Sequence, residues 1–105
     1  MFAILTTDVF DAWLRRLRDR RAAARILDRI VRAEAGNLGD VKPVGSGVSE
    51  MRITYGPGYR VYLIQRGSVL IVLLSGGDKS TQKADIAEAK RLARQWKEET
   101  DGSED

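Results

Sequence analysis

Apolar and polar residues alternate with two different periods along this chain, and the periods divide it into helical and extended segments. The apolar stretch MFAIL predicts a first strand, and Thr7 or Asp8 can cap a helix after it. Two apolar stripes with helical spacing follow: Val9, Phe10, Trp13, Leu14 and Leu17, then Ala23, Ile26, Leu27, Ile30 and Val31. A straight helix would point these stripes in opposite directions, so we predict a break near residues 18–21 and a helical hairpin.

Extended patterns dominate the second half of the chain. The Gly-rich segment GNLGDVKPVGSG (36–47) predicts a loop, and alternation predicts strands over VSEMRI (48–53) and YRVYLIQR (59–66). The segment SVLIVLLS (68–75) is apolar on both faces, which is typical of a central strand that is covered on both sides. After a glycine pair, Ser80 or Thr81 can cap a last helix, with an apolar stripe at Ile86, Ala89, Leu92 (or Ala93) and Trp96.

The predicted element order, β-α-α-β-β-β-α, describes an α+β domain. Three consecutive strands with short turns predict an antiparallel meander, and we expect the helices to pack mainly on one face of it. A chain of 105 residues suits one domain, which we assign to residues 1–97. Residues 98–105, EETDGSED, contain five acidic residues and no basic one, and we expect a disordered tail there.

The composition excludes several kinds of chemistry. The chain has no cysteine and no histidine, which excludes disulfides, thiolate metal sites, Ser/His triads and most zinc sites. Any catalysis must use Arg, Lys, Tyr, Asp, Glu, Ser or Thr, and we predict no metal and no cofactor. Because no apolar run approaches the length of a membrane helix and the N-terminus lacks signal-peptide features, we expect a cytoplasmic protein without membrane contact.

Charge is distributed unevenly along the chain. Without the last eight residues, the chain carries 18 basic and 10 acidic residues, a balance that can attract polyanions. The segment RRLRDRRAAAR (15–25) has three interpretations: a solvated helical face, a non-specific RNA contact, or a docking surface for an acidic partner. Charge alone does not choose among them.

Strand alternation gathers polar residues on one face of the predicted sheet. If Met51 and Ile53 face the helices, the neighbouring positions face away from them, and Lys79 lies at the sheet edge. The residues predicted to line this basic concavity are Glu50, Arg52, Arg60, Tyr62 and Lys79. Guanidinium groups match phosphate oxygens and can stabilise the transition state of phosphodiester cleavage. Glu50 would act as a general base or orient Arg52. Tyr62 would stack on a nucleobase or donate a proton.

A simpler interpretation of the same residues requires no ligand. Glu50 and Arg52 can form an ion pair on a solvated sheet, and Tyr62 can simply cover the strands. The segment SGGDKST lies between a strand and a helix, as phosphate-binding loops do. However, Asp78 precedes Lys79 where the nucleotide-binding pattern needs a glycine, so we predict no ATP or GTP site. Lys79 can still reach a phosphate near the helix N-terminus.

Four short sequence motifs, taken in their order and spacing along the chain, resemble those of a known family: GDVKPVG, SEMRI, GPGYRVY and GGDKSTQ. The segment from Trp13 to Trp96 resembles the RelE/HigB-like toxins of bacterial toxin–antitoxin pairs, in the branch called addiction module killer protein. The resemblance implies a RelE-type fold and ribosome-dependent, metal-independent cleavage of mRNA that leaves a cyclic phosphate. It also implies a small antitoxin partner with a helix-turn-helix domain, through which alone the toxin would meet DNA.

The resemblance can be followed residue by residue. Arg52, Arg60 and Lys79 match basic positions of these toxins, whereas Glu50 stands where some members have a lysine. Ala84 or Asp85 stands near the position of a tyrosine that some members carry in the last helix. The predicted RNA contacts are Arg15, Arg16, Lys42 and Tyr59. The alternatives are a ParE-like inhibitor of DNA gyrase, because ParE toxins share the fold, and a catalytically inactive module that binds an antitoxin.

Overall fold

The computed structural model describes residues 1–102, and within this range a five-stranded mixed sheet lies between two layers of helix. The strands are β1 (Ala3–Thr6), β2 (Val41–Gly45), β3 (Val48–Ile53), β4 (Tyr59–Arg66) and β5 (Leu70–Asp78). The helices are α1 (Asp8–Arg16), α2 (Arg20–Glu34) and α3 (Gln82–Gly102), with a 3₁₀ turn at Lys79–Thr81. The strands lie in the order β1-β5-β4-β3-β2, with β1 parallel to β5 and the other neighbours antiparallel. The α+β class and the antiparallel meander are therefore confirmed.

The helical hairpin forms where the two stripes change direction. Thr7 caps α1 by accepting a hydrogen bond from the backbone N–H of Phe10 at 3.1 Å, and Asp19 caps α2 in the same way. The break at residues 17–19 lets Phe10 and Ile26 enter one core on the same face of the sheet. Leu27 and Val31 remain exposed, because the buried stripe of α2 runs through Ala22, Ile26 and Ala33 instead.

The sheet contains one strand that was not predicted and one strand that is longer than predicted. Residues 41–45 form β2 at the sheet edge, where the sequence predicted a loop. Pro43 is tolerated there because an edge strand has one row of backbone groups without a strand partner. In addition, β5 does not end at Ser75 but continues through Gly76 and Gly77 to Asp78, paired with β4. Lys79 consequently follows the strand directly.

Helix α3 covers the face of the sheet opposite to the face that α1 and α2 cover. Its residues Ala89, Leu92 and Ala93 pack against the second core of the protein, which contains Val48, Tyr62, Ile64, Val72 and Leu74. The expectation that the helices pack mainly on one face is therefore wrong. The physical reason is that β4 and β5 are apolar on both sides, so each face must be shielded from water.

Helix α3 extends into the C-terminal acidic segment. Helix α3 runs on through residues 98–102, which were expected to be disordered. Residues 103–105 of that segment lie outside the described residues. None of the helices in the described part of the chain combines the length and the apolar character needed to cross a membrane.

The glycine pair in β5 allows both helical layers to approach the sheet closely. A Cβ atom at Gly76 would overlap the ring of Trp13 from α1, and one at Gly77 would overlap the carboxylate of Asp85 from α3. The backbone there is extended and within the sheet, so space rather than backbone conformation requires glycine.

We predict that Gly76→Ala lowers the free energy of unfolding by about 1–3 kcal/mol, because the added methyl group overpacks the contact with Trp13. Urea denaturation followed by circular dichroism measures this change. In a Trp13→Leu background the same glycine substitution should cost less, since the two positions are in contact. An equal cost in both backgrounds would show that the indole ring is not the obstacle.

Candidate functional site

A cavity at one end of the sheet contains the three cations predicted to act together. It has a volume of about 350 Å³, and Arg52, Arg60 and Lys79 line it together with Asp40, Ile53, Thr54 and Gly58. We call it the basic cavity. Arg52 and Arg60 face each other directly in the β3–β4 ladder. Like charges at opposed positions destabilise a sheet unless other groups compensate them, so the surroundings of each arginine matter.

Arg60 is held firmly at the floor of the site. Its side chain is only 12% exposed, and its Nε lies 3.6 Å from Oε2 of Glu50. Its Nη1 donates a hydrogen bond of 2.9 Å to the carbonyl oxygen of Gly58. Gly58 has a φ of 82°, which favours glycine and brings the turn close to the guanidinium. Arg60 has five N–H donors, so donors on its terminal nitrogens remain for an anion in the cavity.

Arg52 is paired with an acidic residue of the same cavity. Its Nε and Nη2 donate to Oδ1 of Asp40 at 3.3 and 3.0 Å. Both side chains are partly in water, 38% exposed for Arg52 and 51% for Asp40. A pair this exposed contributes little to stability, and an arriving phosphate can compete for the guanidinium.

An arginine that lies outside the cavity keeps the pair of Arg52 and Asp40 in position. Arg29 of α2 donates to the carbonyl oxygens of Arg52 at 2.6 Å and Leu38 at 2.9 Å. The backbone N–H of Arg52 in turn donates to the carbonyl oxygen of Asp40 at 2.9 Å. These bonds tie the segment before β2 to β3, so Asp40 is fixed at the rim of the basic cavity.

Lys79 reaches the cavity from the turn that follows β5. The carboxylate of Asp78 accepts a hydrogen bond of 2.8 Å from the backbone N–H of Ser80 and so fixes this turn. The hydrogen bonds from Ser80 lower the pKa of Asp78, and the charge of Arg60 lowers it further. Lys79 itself is exposed and forms no ion pair with any side chain of residues 1–100, so its ammonium group is available to a ligand.

Glu50 and Tyr62 do not line the basic cavity, which corrects the predicted site. Both residues have an exposed fraction of 0%, because α3 covers the face on which they lie. Oε2 of Glu50 accepts hydrogen bonds from the Tyr62 hydroxyl at 3.3 Å and from Nε2 of Gln82 at 2.8 Å. The parity of the strands was predicted correctly, but the solvent exposure of this face was not.

The buried polar cluster around Glu50 has incomplete hydrogen bonding. Oε1 of Glu50, Nε of Arg60 and Oγ of Ser75 are buried without a hydrogen-bond partner in the described part of the protein. Burial, followed by the negative charges of Glu50 and Asp85, raises the pKa of Tyr62 well above its ordinary value. Tyr62 therefore keeps its proton at neutral pH and acts as a hydrogen-bond donor to Glu50.

None of the four predicted RNA contacts is among the residues that line the cavity. Arg15 and Arg16 are exposed in the last turn of α1, and Lys42 is exposed on β2 opposite Glu50. Tyr59 is half-buried, with its ring centroid 6.4 Å from that of Trp13. Tyr59 thus packs against α1 on the other face of the sheet.

Several residues of the site were not predicted from the sequence. Asp40 belongs to the motif GDVKPVG, which was expected to form a loop. Its pairing with Arg52 was therefore not predicted. Gln82 donates a hydrogen bond to Glu50 only because α3 packs on the face of the sheet where Glu50 lies. Arg29 lies in a segment with many arginines, and nothing in the sequence distinguishes it from them. Only the hydrogen bonds of its guanidinium in the structure do so.

The arrangement of charges fits an anion with several oxygen atoms. Two guanidinium groups and one ammonium group meet at a single concavity, and guanidinium groups can donate pairs of hydrogen bonds to phosphate. Within residues 1–102, no three Asp and Glu side chains come together in a way that could hold a metal ion. The charged groups that line the cavity are the three cations and the carboxylate of Asp40.

The raised pKa of Tyr62 predicts a loss of stability at alkaline pH. The unfolded chain releases this proton near the ordinary value of 10.0, whereas the folded protein retains it to higher pH. The contribution of Tyr62 to the free energy of unfolding is therefore fully present below pH 10. It declines as pH rises above 10, by at most about 1.4 kcal/mol per pH unit. Urea denaturation at a series of pH values should show a shallower decline for Tyr62→Phe. An identical decline in both proteins would contradict the assignment.

Comparison with known proteins identifies one relative and no family model that matches. An uncharacterized protein of Haemophilus influenzae (strain ATCC 51907 / DSM 11121 / KW20 / Rd) is 53% identical over 92 residues, which are 88% of this chain and 93% of the relative. Identity at this level over nearly the full length of both proteins implies one fold. The chain belongs to the same family as this Haemophilus influenzae protein.

Proposed function

We propose that the chain is the toxin of a type II toxin–antitoxin module and acts as a ribosome-dependent mRNA endonuclease. The observation that carries this proposal is the meeting of Arg52, Arg60 and Lys79 at the basic cavity. Each of these residues belongs to a different one of the motifs that resemble RelE/HigB-like toxins: SEMRI, GPGYRVY and GGDKSTQ. Three separate segments of the chain therefore supply one site.

The proposed chemistry uses the cations to hold and stabilise a phosphodiester. Arg60 is largely buried, paired with Glu50 and bonded to the carbonyl oxygen of Gly58, so its guanidinium is preorganised for the charge that develops on the non-bridging oxygens. Arg52 and Lys79 are more exposed and would adjust to the bound strand. RNA supplies its own nucleophile, the 2′-hydroxyl, and attack in line with the leaving oxygen produces a cyclic phosphate.

The ribosome has a clear role in this proposal. The cavity is small and open, and the chain has no histidine that could move protons at neutral pH. A ribosome that presents mRNA in a bent conformation would supply the in-line geometry that the protein does not impose. We propose a RelE-type fold, action in the cytoplasm, and neutralisation by a helix-turn-helix antitoxin that would provide the contact with DNA. The exposed Arg15, Arg16 and Lys42 remain predicted contacts to RNA.

A second candidate function is binding without catalysis. Two residues predicted to take part in proton transfer, Glu50 and Tyr62, are inaccessible to a substrate, and Arg52 is already paired with Asp40. These facts favour a ParE-like inhibitor of DNA gyrase, or an inactive module that binds an antitoxin, over an enzyme that depends on those two groups. The gyrase inhibitor would trigger DNA damage signalling while messages stay intact, and the inactive module would not arrest growth.

The direct test is a single substitution at the least exposed cation. Arg60→Ala should reduce cleavage of mRNA on purified ribosomes by roughly 100- to 1000-fold, which is the effect of removing one preorganised donor to a developing oxyanion. The RNA ends should be mapped with and without ribosomes. Thermal unfolding of the variant shows whether the fold is retained.

Arg32→Ala provides the matched control. Arg32 lies on α2, where it pairs with Asp28 and is 59% exposed, so this change removes one positive charge away from the cavity. The control should cleave like the unchanged protein. If folded Arg60→Ala cleaves equally well, the basic cavity is not the site. If the unchanged protein cleaves nothing and inhibits purified gyrase, the second candidate is correct.

A further inference from the structure

The predicted base, Glu50, cannot reach a substrate, so the proposed reaction needs a different proton acceptor. Glu50 has no exposed surface and is not among the residues that line the cavity. The chain has no histidine, so a carboxylate is the natural group for this task at neutral pH. Among the residues that line the basic cavity, Asp40 is the one that carries a carboxylate.

The position of Asp40 suits a base. Its backbone carbonyl is held by the N–H of Arg52 and by Arg29, so the residue cannot drift from the rim. Arg52 directs both of its hydrogen bonds to Oδ1. Oδ2 accepts no hydrogen bond from any residue in the described range, and the side chain is half in water. One oxygen is therefore oriented and the other is open to a ligand.

We propose that Asp40 is the catalytic residue that accepts the proton of the 2′-hydroxyl; this rests on the proposed ribonuclease function. Oδ2 of Asp40 takes the proton as the 2′-oxygen forms its bond to phosphorus. The bond from phosphorus to the 5′-oxygen breaks, and that oxygen leaves with its electron pair and takes a proton from water. The products are a 2′,3′-cyclic phosphate and a 5′-hydroxyl. Asp40 then releases its proton to water, which restores the starting state.

Arg52 makes a negatively charged base compatible with a negatively charged substrate. A carboxylate beside a phosphodiester is repelled by it, and a cation between the two offsets the repulsion. Arg52 can bond Oδ1 of Asp40 with one edge of its guanidinium and present its remaining N–H donors to the phosphate. The opposed Arg60 supplies a second cation from the facing strand. The pair of arginines, which is unfavourable by itself, thus serves both the base and the phosphate.

A rival explanation assigns Asp40 a role in charge balance alone. In that case Asp40 merely occupies Arg52 when RNA is absent, and its removal frees a cation for phosphate. The rival predicts that Asp40→Asn binds RNA more tightly and cleaves at least as fast as the unchanged protein. The proposal predicts slow cleavage even though binding is retained or improved.

The test compares Asp40→Asn with Asp28→Asn, which removes an equal charge from an exposed ion pair on α2. Single-turnover cleavage of mRNA on ribosomes should fall by about 100-fold for Asp40→Asn and stay unchanged for the control. The increase of the rate with pH on the acidic side, which reports the base, should disappear in Asp40→Asn. Affinity for a 2′-O-methyl RNA that cannot be cleaved should not fall.

Chemical rescue separates a base from a structural residue. Asp40→Ala opens space at the rim, and added formate should restore part of its cleavage, whereas chloride at equal ionic strength should not. Folded Asp40→Asn that cleaves as fast as the unchanged protein overturns this assignment and leaves the proposed function standing. Asp40→Ala that is slow but unaffected by formate also overturns it. An unchanged protein that leaves mRNA intact on ribosomes overturns the proposed function, and this assignment with it.

Discussion

The buried carboxylate of Glu50 connects the helix α3 to the sheet and, through the sheet, to the basic cavity. It accepts hydrogen bonds from Tyr62 on β4 and from Gln82 at the start of α3, and it faces the guanidinium of Arg60. A buried charge is costly unless it is paired and bonded, so these three groups are required where they stand. Arg60 is consequently held in one orientation, which is the property that a preorganised phosphate site needs.

The remaining parts of the site depend on how closely the layers pack. Gly77 lies opposite Arg60 in the β4–β5 ladder, and its missing side chain lets Asp85 and the first turn of α3 come down onto the sheet. On the other side of the cavity, Arg29 ties the segment before β2 to β3 and places Asp40 beside Arg52. Residues with no ligand contact of their own thus determine where the cations and the carboxylate meet.

Local pattern predicted the strands β3 and β4 and the parity of their side chains, because alternation depends only on neighbouring residues. It therefore placed Arg52 and Arg60 on one face correctly. The burial of Glu50 and Tyr62 was not predictable in this way, since it depends on which face α3 covers. The strand β2 was missed because its Gly and Pro content resembles a loop, and the pairing of Asp40 with Arg52 was missed with it. Tertiary packing, rather than local sequence, decided these points.

The central claim is that Arg52, Arg60 and Lys79 bind one phosphodiester together. Nuclear magnetic resonance of the side-chain nitrogens of arginine and lysine, during titration with a short 2′-O-methyl RNA, tests it most directly. The account predicts that the signals of these three residues shift together and give a single dissociation constant. Shifts confined to the exposed arginines of the helical hairpin, such as Arg15 and Arg16, with Arg52 and Arg60 unchanged, would contradict it.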